Sequence, residues 1–332
     1  MRSLNCIFGK NPFLKLSIYL IIPVLLFLSC RKESFTNDPN DKLDFSIDTL
    51  TFDTVFSSIG STTKFFKVIN KHPQKIIVSD IQLAGGQSSQ FRLNIDGEPI
   101  YETSSLEISA KDSIYIFVEV TVDPNSSESP FIIKDSIEFI TNGNAQKVIL
   151  VAWGQNANFY NGEVLCDTTW TNNKPHVVYN SVLIDENCTL TIEKGCQIHF
   201  HSGSRFYVLG SLNVKGSLDE PVVFQGDRLE SFYQDKSGQW DGLHFLMGSV
   251  SNKVNYAIIK NSVIGLRVDS LPNNSDTGLV VRNTIIQNTL SSGIIGITGN
   301  IAAFNCLVFN CGQYNVQLEY GGIYEFEHCT FA

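Results

Sequence analysis

Between Gln225 and Gly242 the chain gathers its densest set of groups able to do chemistry: Asp227, Arg228, Glu230, Asp235 and Asp241, interleaved with Phe232, Tyr233 and Trp240. Such residues are the parts of three kinds of site. Two carboxylates placed across a glycosidic bond would hydrolyse it. Several carboxylates could hold calcium and Arg228 supply a positive group, and a polysaccharide lyase would need such carboxylates together with a basic residue aimed at the C5 proton. The aromatic rings could offer flat faces to sugars. The segment is longer than a turn between two strands requires, and loops of this kind carry function. The same residues also suit a packed loop that shields the flank of the protein. Elsewhere, Arg267 with Asp269, and the lone Arg282, read as isolated charges on exposed positions and form no catalytic set.

His199 and His201 are two apart and share a strand face, which by parity with Ile198 and Phe200 points outward. Two imidazoles could chelate a metal, but no third ligand stands nearby, and a solvated strand face is the simpler reading. Six cysteines follow Cys30: Cys166, Cys188, Cys196, Cys306, Cys311 and Cys329. No CxxC spacing points to zinc. Cys188 and Cys196 continue the inward parity of Leu190, Ile192 and Ile198. The expectation is reduced, core-packed thiols, with one disulfide such as Cys188 to Cys196 as the alternative.

These groups need a scaffold, and the composition says which kind. The chain has 332 residues, 43% hydrophobic, with 23 Phe but only nine Ala. So much apolar material excludes extended disorder, and the shortage of the best helix former excludes long helices. From about residue 41 to 156 short alternating segments are separated by turn residues. The clearest runs from Ser113 to Val122, where Ile114, Ile116, Val118, Val120 and Val122 share one face. About seven such strands in ~110 residues is the rhythm of an immunoglobulin-like sandwich. The segment contains no Cys.

From residue 157 to 332 the pattern becomes a repeat. Tyr256–Asn261, Asn283–Asn288 and Asn305–Asn310 align without gaps, and His328 opens a fourth copy, at offsets of 27, 22 and 23 residues. Those are coil lengths for a solenoid of stacked strands. Asn261, Asn288 and Asn310 fall at one corner of successive coils, where stacked amides would form a ladder that sets the register.

Four resemblances extend this reading. Phe27-Leu28-Ser29-Cys30, after a basic start and an apolar run from Leu16 to Leu28, resembles a bacterial lipobox; that implies a signal peptide over 1–29, diacylation of Cys30 and a flexible tether over 30–40. The short Gly-punctuated strands from Cys188 through Phe224, and on to Ala332, look like the right-handed parallel β-helices of the pectin-lyase-like superfamily. Asp48-Thr-Leu, Asp53-Thr-Val, Asp112-Ser-Ile, Asp135-Ser-Ile, Asp167-Thr-Thr and Asp269-Ser-Leu resemble the O-glycosylation triplet of Bacteroidota, although they would also be natural strand starts. The order of parts is similar to that of Bacteroidota surface lipoproteins. The solenoid pattern stops inside a strand at His328–Ala332, so the expectation is that missing coils or a partner cover this end.

The fold expected is therefore all-β, a sandwich over 41–156 and an incomplete parallel β-helix over 157–332. Beyond Cys30, 21 basic residues face 33 acidic ones, which argues against nucleic acid as a partner. The partners expected are outer-membrane lipid through Cys30 and a polysaccharide. The function expected is non-catalytic adhesion or glycan contact, with Phe232, Tyr233 and Trp240 touching sugar. The alternative is a polysaccharide lyase or glycoside hydrolase, with calcium admitted only for the lyase.

Overall fold

The computed structural model describes residues 34–57, 60–95, 97–99, 102–124, 130–269 and 278–332; Cys30 and the apolar leader lie outside them. The regular secondary structure of the described residues is all strand apart from two short 3-10 turns. No helix among the described residues is long and apolar enough to cross a membrane.

The alternation between residues 41 and 156 produces two five-stranded sheets. One has the order Asp44–Phe45, Lys64–Ile69, Ser113–Val120, Phe91–Ile95, Glu98–Pro99. The other runs Thr49–Phe56, Asn144–Gln155, Phe131–Thr141, Ile76–Leu83, Glu102–Ile108. All pairings are antiparallel except that of Asn144–Gln155 with Thr49–Phe56. Period-two burial turns Ile116, Val118, Val120 and Val122 inward, each fully buried, against Phe66, Phe91 and Phe139 in one shared core. Ile114 packs at its margin. Residues 34–40, expected as part of a free tether, instead lie on the sandwich. Phe35 bridges to Lys75, and the carbonyl of Pro39 accepts from Asn144 Nδ2.

Beyond Asn158 every pairing is parallel, and each strand rests on the one a coil earlier. One face has seven strands, from Thr168–Trp170 to Ile323–Glu327. The strand His176–Ile184 pairs through its first half with Gln197–Phe200 and through its second with Arg205–Val208. It thereby joins the other two faces into a single thirteen-stranded sheet. The three aligned segments are in register, since Ile258 partners Ile285 and Ile285 partners Leu307, which in turn partners Thr330. Columns of like residues fill the interior, such as Val214, Val254, Val281 and Ala303. Packing like on like lets each coil bury the apolar face of its neighbour.

Corners are fixed by left-handed residues. Tyr256, Asn283, Asn305 and His328, the first positions of the four aligned segments, all have φ between +48° and +54°. Asn261, Asn288 and Asn310 are left-handed too, a conformation that asparagine tolerates better than most residues. Their amides form the expected ladder: Asn310 Nδ2 donates to Asn288 Oδ1 at 2.6 Å, and Asn288 to Asn261 at 3.4 Å. A second ladder runs from Asn305 to Asn283 to Asn255, at 2.8 and 3.0 Å. Asn283 and Asn305 stand at equivalent positions in the alignment, while Asn255 lies one residue ahead of the corresponding Tyr256.

The cysteine expectation is corrected. Cys166 and Cys188 form a disulfide with a Cα separation of 4.7 Å. They stand one coil apart, two residues ahead of the register partners Thr168 and Leu190. Cys188 and Cys196 cannot pair, because they flank opposite ends of the extended strand Thr189–Glu193. Cys196 is buried, and its thiol points at the carbonyl of Trp170.

Candidate functional site

The acidic loop leaves the solenoid after the strand Val222–Gly226 and returns at Gly242, whose φ is +113° and where a Cβ would fall 1.8 Å from the Ile264 carbonyl oxygen, so no side chain fits. The amide ladder holds the loop from below. Asn261 Nδ2, the foot of the ladder, donates to the carbonyls of Tyr233 and Gln234, and Asn288 Nδ2 donates to Asp235. Gln239 Nε2 closes the loop on the carbonyls of Tyr233 and Lys236. The residues read as a register device therefore also anchor the projecting segment.

The loop's functional groups separate. Trp240, expected to face sugar, is fully buried: its ring stacks on Phe200 at 4.1 Å and its Nε1 donates to the carbonyl of Lys260. Its parallel bridge to Ser262 of the next coil makes it part of the stacked wall, where its indole fills the interior and its polar atom meets a backbone acceptor. Phe232 stays 67% exposed, edge-on to Tyr233, with Lys236 Nζ over its ring. Asp241 pairs with Arg205 at 3.0 Å on another face of the coil. Asp227, Arg228 and Glu230 turn the opposite way, toward the sandwich.

There, sandwich and solenoid enclose a cleft of about 250 Å³. Its sandwich wall comes from Phe52–Phe56 and Gly60–Thr62 with Lys64; its solenoid wall comes from Tyr179, His201 and residues 227–230. His201 Nδ1 donates to Asp227 at 2.7 Å, and the Tyr179 ring stacks on the imidazole at 4.5 Å. The Tyr179 hydroxyl reaches the same carboxylate at 3.5 Å; burial and the Asp227 charge push its acidity well below that of a free phenol. Arg228 grips Glu230 through Nε and Nη2 and lies over the Tyr233 ring at 4.2 Å. Burial alone would raise Glu230, but the bonds from Arg228 and Thr62 bring it below the usual carboxylate range. The Thr62 hydroxyl donates to Glu230 across the junction at 3.0 Å, and Lys64 pairs with Asp53 at 3.6 Å on the sandwich wall.

His199 corrects the expectation of a solvated strand face. It does point out of the coil, but onto Phe56 of the sandwich, with ring centroids 4.9 Å apart, and it is buried. Burial lowers its pKa to about 4, against a weak opposing bond to the Gly226 carbonyl. Only His201 of the two is exposed. Parity gave the direction; the sandwich that covers it lies about 140 residues earlier in the chain.

A second polar group, of which only Arg267 and Asp269 stood out in the sequence, lies on the outer side of the face that carries Arg205–Val208, Gly242–Phe245 and Leu266–Asp269. Tyr207, His244 and Arg267 are register partners on successive coils. Asp269 accepts from Arg267 Nε at 3.0 Å and from His244 Nε2 at 2.7 Å, so Arg267 and Asp269 are not isolated charges. Burial depresses His244, partly opposed by its bond to Asp269. Arg282 lies over the Phe304 ring at 4.0 Å. Among the described residues no three His, Cys, Asp or Glu side chains are placed to hold a metal ion. Asp227, Glu230, Asp235 and Asp241 each meet a different partner rather than one another.

No family model and no curated protein matches the chain. Several solved structures share parts of its shape. A family 123 glycoside hydrolase from Clostridium perfringens is 12% identical over 38% of this chain, with a TM-score of 0.25. The PapD-like domain 7 of human CEP192 is 10% identical over 39% of this chain and 94% of its own, at 0.24. The catalytic unit of a GH87 α-1,3-glucanase from Streptomyces thermodiastaticus is 13% identical over 80% of this chain, at 0.35. This chain spans 26% of the first of these proteins and 56% of the third. All three likenesses are distant, and none bears on what this chain does.

Proposed function

We propose that this chain contacts glycans without cleaving them, and that the cleft between sandwich and solenoid receives a terminal sugar. One observation carries the reading. The cleft combines the half-buried ring of Tyr179 with three matched polar pairs: His201 hydrogen-bonded to Asp227, Arg228 hydrogen-bonded to Glu230, and Lys64 ion-paired with Asp53. Sugar hydroxyls both donate and accept, so a wall of paired donors and acceptors suits them better than a free anion, which would find every cation already matched. The C–H face of a sugar suits the Tyr179 ring. At about 250 Å³ the cleft is at the small end for ligand sites, which favours one sugar unit over a long polymer segment. Phe232 and Tyr233, at the loop surface beside it, would extend the contact.

The wider setting belongs to the same proposal. The sandwich is taken as Ig-like and the solenoid as a right-handed β-helix of the pectin-lyase-like kind, displayed on the outer membrane of a Bacteroidota-type cell through a lipid on Cys30. Labelled palmitate incorporated by the wild type and lost in Cys30→Ala would support the anchor; equal labelling of both would remove it.

The function is tested by incubating the purified protein with a polysaccharide panel while following both binding and products. Expected is saturable binding, weakened at least tenfold by Tyr179→Ala or Arg228→Ala, with neither unsaturated products at 235 nm nor new reducing ends. Turnover would overturn the non-catalytic reading, and binding indifferent to both substitutions would move the site elsewhere.

A further inference from the structure

Cys306 and Cys329 occupy one position on successive coils. The residues after them, Leu307 and Thr330, are register partners, and the Cys306 carbonyl accepts from the Thr330 amide at 2.8 Å. Stacked parallel strands lie ~4.8 Å apart, inside the Cα range of about 4.4–6.8 Å that a disulfide spans. The two thiols also adopt matching directions. Cys306 Sγ points at the carbonyls of Val281 and Phe304, at 3.7 and 3.3 Å; Cys329 Sγ points at those of Ala303 and Glu327, at 3.5 and 3.4 Å. Val281 partners Ala303, and Phe304 partners Glu327, so each thiol repeats the placement of the other one coil on. They are near enough to interact with each other.

The same chain shows what this arrangement permits. Cys166 and Cys188, at another corner of the solenoid, are also one coil apart, 22 residues from each other, and are joined. Cys306 and Cys329 are 23 residues apart. We propose that Cys306 and Cys329 are a second disulfide site, a covalent staple that ties the coil carrying Ile323–Glu327 to the coil beneath it.

The chemistry requires a disulfide oxidant. Cys329 is the more exposed of the two. Its thiolate attacks one sulfur of a disulfide such as oxidised glutathione, forming a mixed disulfide and releasing one thiol. Cys306 then gives its proton to solvent and attacks Cys329 Sγ, releasing the second thiol; the oxidant gains the two electrons that the cysteines lose. Burial raises the Cys306 thiol to about 11, which suits it to the second, intramolecular step rather than the first.

The test treats the folded full-length protein with oxidised or reduced glutathione, blocks free thiols with iodoacetamide and maps the peptides by mass spectrometry. The expected result is a linked pair containing Cys306 and Cys329 in the oxidised sample, two hydrogens lighter than the sum of its peptides. Backbone hydrogen exchange over residues 300–331 should slow at least tenfold relative to the reduced sample, and Cys329→Ser should abolish that difference while leaving the Cys166–Cys188 pair linked. Recovery of Cys306 and Cys329 as separately alkylated residues overturns the proposal, as does a link from Cys306 to Cys311. A linked pair without slower exchange removes the staple.

Discussion

In the sandwich partners can lie about 100 residues apart, as Thr49–Phe56 and Asn144–Gln155 do, whereas in the solenoid each strand rests on one 18 to 28 residues away, or 35 to 40 where residues 227–241 intervene. The two regions use the same residue types and the same period-two burial, yet they cohere differently. Sandwich strands share one core that exists only when both sheets are present. Solenoid coils form a chain of nearest-neighbour contacts, whose stability is close to a sum of coil and interface contributions. The difference teaches where function can be added: a coil tolerates an insertion such as residues 227–241 because its neighbours hold the corner, while a sandwich offers chiefly its edges. The cleft lies where an edge of one meets an insertion of the other.

Core truncation should break the comparison most visibly. Phe139→Ala in the sandwich and Trp240→Ala in the solenoid should each cost about 3–5 kcal/mol. Hydrogen exchange should separate them: Phe139→Ala exposes amides throughout both sandwich sheets, and Trp240→Ala only those of the coils adjoining residue 240. Equal spread in both would show that the solenoid is as global as the sandwich.

Acid should act on the seam between them. With His199 held to about 4 in the folded state and near 6.5 when unfolded, the unfolded chain binds the extra proton between those values. The stability contributed by neutral His199 is therefore full above about pH 6.5 and lost as pH falls toward 4, an effect of the order of 3 kcal/mol. Urea midpoints measured from pH 4 to 7 should show this slope, and His199→Gln should flatten it. An unchanged slope would place the acid sensitivity elsewhere.

Smaller effects sharpen the account. Asn288→Ala removes bonds to Asn261, Asn310 and Asp235 at a left-handed position, with an expected cost of about 1–3 kcal/mol and a loosened 227–241 loop, read as faster proteolysis there. Thr62→Val, which breaks the bond to Glu230 across the junction, should cost only about 0.5–1.5 kcal/mol, yet should let the two regions melt more independently in calorimetry. A larger loss than for Asn288→Ala would make the junction, not the ladder, the stronger link.

Strand content, the alternation of Ser113–Val122 and the coil register of Ile258, Ile285 and Leu307 were legible because each rests on local periodicity. The loop at 225–242 was legible as a concentration of polar and aromatic residues. Where its groups would go was not. Trp240 looked like its neighbours Phe232 and Tyr233 in sequence, but the coil interior claimed it. The disulfide followed the stacking of coils, so Cys188 joined a residue 22 positions back rather than the nearer Cys196.

By itself the sequence determined the kind of structure: strands rather than helices, a repeat with asparagine corners, and an acidic, ring-bearing insertion, all set by local spacing and residue type. Only the tertiary structure decided that Asp227, Arg228 and Glu230 would meet Thr62 and Lys64 in one cleft, that His199 would lose its charge beneath Phe56, and that His244 would join Asp269. Those outcomes depend on which surfaces come together, and that is fixed by packing between segments far apart in the chain, for which no local pattern carries a signal.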